Sequence, residues 1–359
     1  MNLFSSIAIG SVTLRNRAAV APMTRVSAAE DGRITRAMAE YYEEFARGGW
    51  GLVETEATYI DEEHSRCRPN QPGIATIEQR DEWRRVVDAV HAHGAAIFVQ
   101  LQHAGALAEA PRDRSDTVAP SAIQPRSRKP LPIPRELSEA EIGRIHENFA
   151  HAAAYAVEAG FDGIELHGTN GYLIDQFLTD YTNCRADRYG GSFVNRMRFA
   201  CEAITAVGSA VPGSFPVGIR VNQAKTHDPG YAWPGGEAEA ATLFSAMVAA
   251  GASFLHIAGL NAPPPARGSE MLLDAARAAT NAVVIANGGL EDPARDQAIV
   301  GSGRTGIISV ARGALANPDW PKRVAAQHPL AAYDPAMIRP VPTLQNAIAW
   351  RRQQCDLGV

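Results

Sequence analysis

One joint recurs along the chain: a helix end, one or two glycines, then a short apolar run. It reads ARGGWGLVETEA, AHGAAIFVQL, EAGFDGIEL, AAGASFLHI and SGRTGIISV. The glycines punctuate helix ends, and runs this short read as strands. Apolar strands alternating with helices specify a parallel sheet buried on both faces. Eight such runs stand at 18–23, 51–58, 95–101, 163–166, 215–221, 252–259, 282–289 and 305–313. Helices are expected at 35–47, 77–93, 138–159, 195–207, 237–250, 271–279 and 292–300, with a last one starting near 317–319. Ser138 opens a capping-box sequence, SEAE. Eight strand–helix units with right-handed crossovers close into a barrel. An open doubly wound sheet is the competing arrangement. It needs a glycine-rich turn after the first strand, and AAVAPMTR has no glycine there. The expected fold class is α/β: a single (β/α)8 TIM-barrel domain over 1–359, with an N-terminal β-hairpin around Gly10-Ser11 and a long loop, 102–138, after strand three.

The 359 residues suit one such barrel. Net charge is −5 and the basic residues are scattered, which argues against nucleic acid and anionic membranes as partners. MNLFSSIAIG lacks a basic leader region, and no uncharged apolar run could span a bilayer, so a cytoplasmic location is expected. Cys67, Cys184, Cys201 and Cys355 form no CxxC pair. That excludes a zinc ribbon or a local iron–sulfur motif, and four buried thiols are expected.

Several motifs fail on context. Gly301 to Gly306 matches GxGxxG but precedes a strand instead of following one. His146 and His151 miss the HExxH spacing and read as helix-surface residues. Asp162 and Glu165 leave their strand in opposite directions, which argues against a paired-carboxylate site.

In a barrel of this kind the active site lies at the C-terminal strand ends. Those ends carry Met23-Thr24, Glu56-Ala57, Gln100 to Gln102, His167 to Asn170, Arg220 to Asn222, Asn287 to Gly289 and Ala311 to Gly313. The ends of strands seven and eight commonly bind phosphate. Asn287, Gly288 and Gly289 can offer backbone N–H groups there, and Arg312 a fork of donors. The densest stretch is FDGIELHGTNGYLIDQFLTDYTNCRADRYGGSFVNRMRF, 161–199, where His167, Asn170 and Tyr172 leave one strand within six residues.

This stretch resembles the signature of the old yellow enzyme family of FMN-dependent ene-reductases. LFSSIAIGSVTLRNRAAVAPMTR, VQLQHAG, GIRVN, IANGG and ARGALANPDWPKR extend the resemblance over nearly the whole chain in the same order. It implies non-covalent FMN across the barrel mouth. Thr24 resembles the residue that bonds the flavin C4 carbonyl, and Pro22, Met23 and Ala57 look like backbone contacts to the ring. Gln100 resembles the amide on the pyrimidine edge. Arg220 resembles the cation beside N1, where a fixed positive charge favours the anionic reduced flavin. Asn287, Gly288, Gly289, Ala311 and Arg312 resemble the phosphate site. The resemblance also implies NAD(P)H as reductant and a small-molecule activated alkene as substrate. The alkene's carbonyl would be held by His167 and Asn170 and its α-carbon protonated by Tyr172, with Gln102 facing the substrate.

There are departures. Gln102 stands where an aromatic or apolar residue is common, Ala106 replaces an Arg, Ala311 a Gly, and Val194 a Glu. The cysteine cluster and nucleotide domains of longer relatives are not in this sequence, so direct reduction by NAD(P)H is expected. Reduction of nitro groups or nitrate esters, or a dehydrogenase, is the alternative on the same flavin. A non-catalytic flavin-binding barrel is the remote one. A homo-oligomer is an open expectation, with Arg351 and Arg352 as residues that reach a neighbouring subunit in some relatives.

Overall fold

A computed structural model describes residues 1–109, 117–126, 131–225, 227–259 and 268–356. Its core strands are β1 (Ala18–Val20), β2 (Leu52–Glu54), β3 (Ala96–Gln102) and β4 (Gly163–Gly168). They continue as β5 (Val217–Val221), β6 (Phe254–Ile257), β7 (Val283–Asn287) and β8 (Ile307–Val310). Each pairs in parallel with the next, and β8 pairs with β1. The ring is closed, which removes exposed strand edges and rules out the open sheet. Around it lie α1 (Arg36–Gly48), α2 (Ile77–His91), α3 (Glu139–Ala159) and α4 (Arg198–Ser209). They are followed by α5 (Gly236–Ala249), α6 (Gly268–Ala279), α7 (Pro293–Gly301) and α8 (Trp320–Ala325).

The recurring glycine joint has a backbone cause. Gly49 and Gly160 end α1 and α3 with φ of 101° and 92°, a left-handed conformation that side chains resist. At the other end of α3, Ser138 and Glu141 form the full reciprocal capping box.

The two-residue alternation of each strand separates two cores. Val20, Val53, Val99, Leu166, Ile219 and Leu255 belong to the larger core, which includes the helices. Ala19, Leu52, Phe98, Phe254, Ile285 and Ile307 form a second cluster. The antiparallel N-terminal hairpin, Ile7–Ile9 with Val12–Leu14, adds Ile9 and Leu14 to that second cluster. Gly163 and Gly218 make room for its rings: a Cβ at either would come within 2.6 and 2.5 Å of Phe98 and Phe254. Further along, the same strand faces carry Glu54, Gln100, Glu165, His256 and Ser309, all buried. The strands are therefore apolar on both faces only at their N-terminal ends.

Other expectations change in detail. The 102–138 segment is not wholly irregular: Gly105–Leu107 is a 3-10 turn, and Val118–Ala119 pairs with Arg135–Glu136. Its stretches 110–116 and 127–130 lie outside the described residues. Among the described residues, helices emerge that periodicity does not reveal, including Leu173–Leu178, Arg312–Ala316 and Leu344–Asp356, and the helix expected at 195–207 is split into Phe193–Arg196 and Arg198–Ser209. Cys67 is buried, but Cys184 is exposed and Cys201 only half-buried, so the thiols are not uniformly interior. His146 is buried rather than on the surface. Its Nε2 lies 3.2 Å from the Phe199 carbonyl, and its ring packs on that of Phe199 where α3 meets α4. No helix among the described residues is long and apolar enough to cross a membrane.

Candidate active site

His167, Asn170 and Tyr172 leave the end of β4 on a turn fixed from several sides. Asn170 and Gly171 both take positive φ, 62° and 84°, which Asn and Gly tolerate best. The Gly171 N–H donates to Asp175 Oδ2 at 2.7 Å, and the Leu173 N–H to the His103 carbonyl at 3.1 Å. Gln176 Nε2 donates to the Gly171 carbonyl at 2.6 Å. Asp175 is itself held by a buried ion pair with Lys225, from the segment after β5. The rings of His167 and Tyr172 lie 5.0 Å apart. Tyr172 packs against Cys67, Ala104 and Ala108, with its hydroxyl 3.7 Å from Cys67 Sγ.

The protonation states follow from these surroundings. Burial drives the His167 imidazole down to about 3, and the Arg220 charge adds to the effect. The ring is therefore neutral at working pH. Thr169 Oγ1 lies 3.2 Å from Nδ1. With that hydroxyl donating, the ring proton sits on Nε2, leaving one N–H free for a ligand. The neighbouring Cys67 and burial hold the Tyr172 phenol well above its ordinary value, so it stays protonated.

His167 is depressed in the folded state relative to about 6.5 unfolded, and burial likewise lowers His103 to about 4. Their stabilising contribution is complete above pH 6.5 and is lost progressively as pH falls below it. Each is expected to cost about 2 kcal/mol by pH 5. Urea unfolding at pH 7 and pH 5 should show the fall, and His167→Asn should make it shallower.

The other expected residues converge from distant strands. Arg220 on β5 donates from Nη2 to Asn287 Oδ1 at 2.8 Å, and Asn287 Nδ2 donates to the Ser309 carbonyl at 2.8 Å. Arg220 Nε is buried without a protein acceptor. Gln100 Nε2 donates to Glu165 Oε1 at 2.7 Å. Gln102 is buried with its Nε2 unpartnered. Pro22 and Met23 are half-buried and Thr24 is exposed. Ala57 is half-buried, and its carbonyl already accepts from Gln71 Nε2 at 2.8 Å, so that oxygen is engaged within the protein. Gly288 and Gly289 follow β7 with φ of 125° and 63°. Ala311 precedes the short helix Arg312–Ala316, and Arg312 is exposed with an ion pair to Glu291 at 3.3 Å. Its fork of donors is thus partly occupied. Arg351 pairs with Glu44 of its own chain at 2.9 Å.

Sequence reasoning missed the supporting groups. Glu56 accepts from the Arg25 and Val26 N–H groups at 2.8 and 3.0 Å, fixing the segment after Thr24. Asp175, Lys225 and Cys67 brace the β4 turn. Glu54 and His256 lie inside the barrel beside Glu165. An ionisable residue in a strand's apolar run was the available signal for these two, and only the register shows that they meet.

The pattern of the NADH:flavin oxidoreductase / NADH oxidase family matches residues 2–331. The chain belongs to the old yellow enzyme family. Among solved members, it superposes on morphinone reductase in complex with tetrahydroNAD with a TM-score of 0.84 and 32% identity, over 93% of each chain. A Leishmania infantum relative named probable flavin mononucleotide-dependent alkene reductase is 34% identical over 93% of each protein. An NADH oxidase from Thermoanaerobacter brockii is 34% identical over 90% of this chain but only 50% of its own length. The chain thus spans about half the length of that old yellow enzyme relative.

Proposed function

We propose that the chain is an FMN-dependent ene-reductase, taking hydride from NAD(P)H and reducing the C=C bond of α,β-unsaturated carbonyl compounds or similar activated alkenes. The observation that carries this reading is the braced His167–Asn170–Tyr172 turn beside Arg220 and Gln100.

FMN fits the residues present. Arg220 has a buried N–H without a protein acceptor, and the positive-φ pair Gly288-Gly289 stands at the end of β7. Thr24, Gln100, Arg220 and the backbone at Pro22, Met23 and Ala57 would hold the ring. Asn287, Gly288, Gly289, Ala311 and Arg312 would hold the phosphate. When bound, FMN supplies the redox chemistry that carries hydride from NAD(P)H to the alkene. The side chains do the rest. The His167 N–H and the Asn170 amide hold the substrate carbonyl oxygen and favour the enolate-like charge that grows there. Tyr172 gives its phenolic proton to the α-carbon. Gln102 offers the same pocket a polar edge. We take 1–359 as one such unit, working in the cytoplasm on a small molecule, with NADH and NADPH both admitted as reductants.

The test is the visible spectrum of the purified protein before and after adding a phenol. A flavin band with a new long-wavelength charge-transfer band is expected, from a phenolate held by His167 and Asn170. A protein that takes up no FMN would sink the reading. Reduced protein that turns over nitro compounds or nitrate esters but no alkene would replace it with the alternative chemistry. Arg220→Ala is expected to weaken FMN retention about 10- to 100-fold, the scale of one or two lost charged hydrogen bonds. Equilibrium titration of apoprotein with FMN checks it.

A further inference from the structure

Three ionisable side chains meet inside the barrel. Glu54 on β2, Glu165 on β4 and His256 on β6 are each at most 1% exposed. His256 Nδ1 lies 2.6 Å from Glu165 Oε2 and 3.4 Å from Glu54 Oε2. The short contact to Glu165 is the hydrogen bond, and both Glu54 oxygens remain without a hydrogen-bond partner, as does His256 Nε2. The other Glu165 oxygen accepts from Gln100 Nε2 at 2.7 Å. A continuous hydrogen-bonded chain therefore runs from Gln100, proposed above to face the flavin, to the ring beside Glu54.

The charged groups around this cluster can be named. Arg220 stands on β5 between β4 and β6, in register with His167 on one side and His256 on the other. Its charge acts on both glutamates, and neutral His167 is the remaining titratable neighbour. Burial opposes charge on all three members. For Glu165 the His256 and Arg220 charges outweigh it and hold the carboxyl below its ordinary range. For His256 the two glutamates outweigh it and raise the ring to about 9. For Glu54 burial wins, with Glu165 adding, and the carboxyl is pushed up to about 7. Arg220 and His256 supply two positive charges and Glu165 one negative. Glu54 is the member whose charge can change at small cost.

We propose that Glu54 is a buried proton-holding residue coupled to the flavin: it takes up a proton when the ring is reduced and releases it when the ring is reoxidised. This rests on the FMN reading above. Hydride brings two electrons and one proton, so the ring gains one negative charge. A solvent proton forms an O–H bond on the Glu54 carboxylate and cancels that charge within the barrel. On reoxidation the O–H bond breaks and the proton returns to solvent. Glu54 does not touch the reacting atoms. It is a tuning residue that acts through His256, Glu165, Gln100 and Arg220.

The experiment measures the midpoint potential of FMN-loaded protein from pH 5 to 9 by equilibration with a dye of known potential. Without a coupled site the reduction constant changes tenfold per pH unit, about 30 mV for a two-electron couple. Wild type is expected to approach a hundredfold per pH unit, about 59 mV, in a window around pH 7 to 8. Glu54→Gln, which keeps the volume and loses the charge, should show the tenfold slope throughout. In the apoprotein, carboxyl NMR of 13C-glutamate protein should show a resonance titrating near pH 7 that Glu54→Gln removes, beside one from Glu56, which burial also raises to about 7 and which the variant leaves in place.

A tenfold slope for wild type across the range would overturn the proposal while leaving FMN binding intact, and that result needs no variant to fold. A Glu54→Gln apoprotein that lost no resonance titrating near pH 7 would overturn it as well. So would a stoichiometric divalent ion removed by chelator, since ligand atoms of the three side chains lie within 4.8 Å of one another. Failure to take up FMN would overturn the functional reading and this one with it.

Discussion

Tyr172→Phe is expected to slow alkene reduction 100- to 10,000-fold while leaving reduction of the flavin by NAD(P)H at its wild-type rate. The range is that of a general acid removed from a proton transfer in the transition state. The phenol suits this role because the receiving carbon is strongly basic as hydride arrives. Its elevated pKa keeps the proton in place at every working pH. The surroundings hold the ring still: Cys67, Ala104 and Ala108 pack against it, and the His167 ring lies 5.0 Å away. Phe keeps that packing and loses only the hydroxyl. Stopped-flow measurement of the two half-reactions separates the effects. A variant that loses both equally would mean that Tyr172 shapes the pocket and is not the acid. A variant that loses neither would pass the role to another donor, and Cys67, 3.7 Å from the hydroxyl, would be examined first.

Asp175→Ala is expected to destabilise the fold by about 3–5 kcal/mol. Asp175 is fully buried, and the Lys225 side chain is 5% exposed. Truncating the acid strands the ammonium in the interior, with the Tyr231 ring 4.8 Å from Nζ facing it. The same change removes the acceptor of the Gly171 N–H and so loosens the turn that carries Asn170 and Tyr172. Two signatures should therefore appear together: a lower urea midpoint and weaker binding of phenol to the oxidised protein. Adding Lys225→Met to Asp175→Ala should recover most of the stability, because no buried charge is then unpaired. It should not recover phenol binding, because Gly171 still lacks its partner. If the double variant regained both, the turn would be held by something other than Asp175.

The outer architecture and the proposed reacting groups were legible in the chain itself. Helix-end glycines such as Gly49 and Gly160 mark five of the returns to the sheet because few other residues accept their backbone conformation. The runs after them are too short for helices, and eight of them in alternation leave little but a barrel. His167, Asn170 and Tyr172 were visible because a strand that ends in three hydrogen-bonding side chains is not merely filling a core. The supporting groups were not visible, because each depends on a neighbour far away in sequence. Arg220 and Asn287 are 67 residues apart and Asp175 and Lys225 are 50, and nothing local in either segment specifies the other. The helix Leu173–Leu178 was hidden by its length, which is too short to display a period. Arg312 looked like a free fork of donors until the fold brought Glu291 to it. Glu54 is the sharpest case. Its sequence, LVE, reads as an apolar strand with one acidic residue at its end. Barrel closure turns that residue inward, between β1 and β3 and across from β4 and β6, where His256 and Glu165 meet it. The two-residue period alone decides that some side chains must face the interior. Only closure decides which ones share it, and that sharing fixes the charges these groups carry.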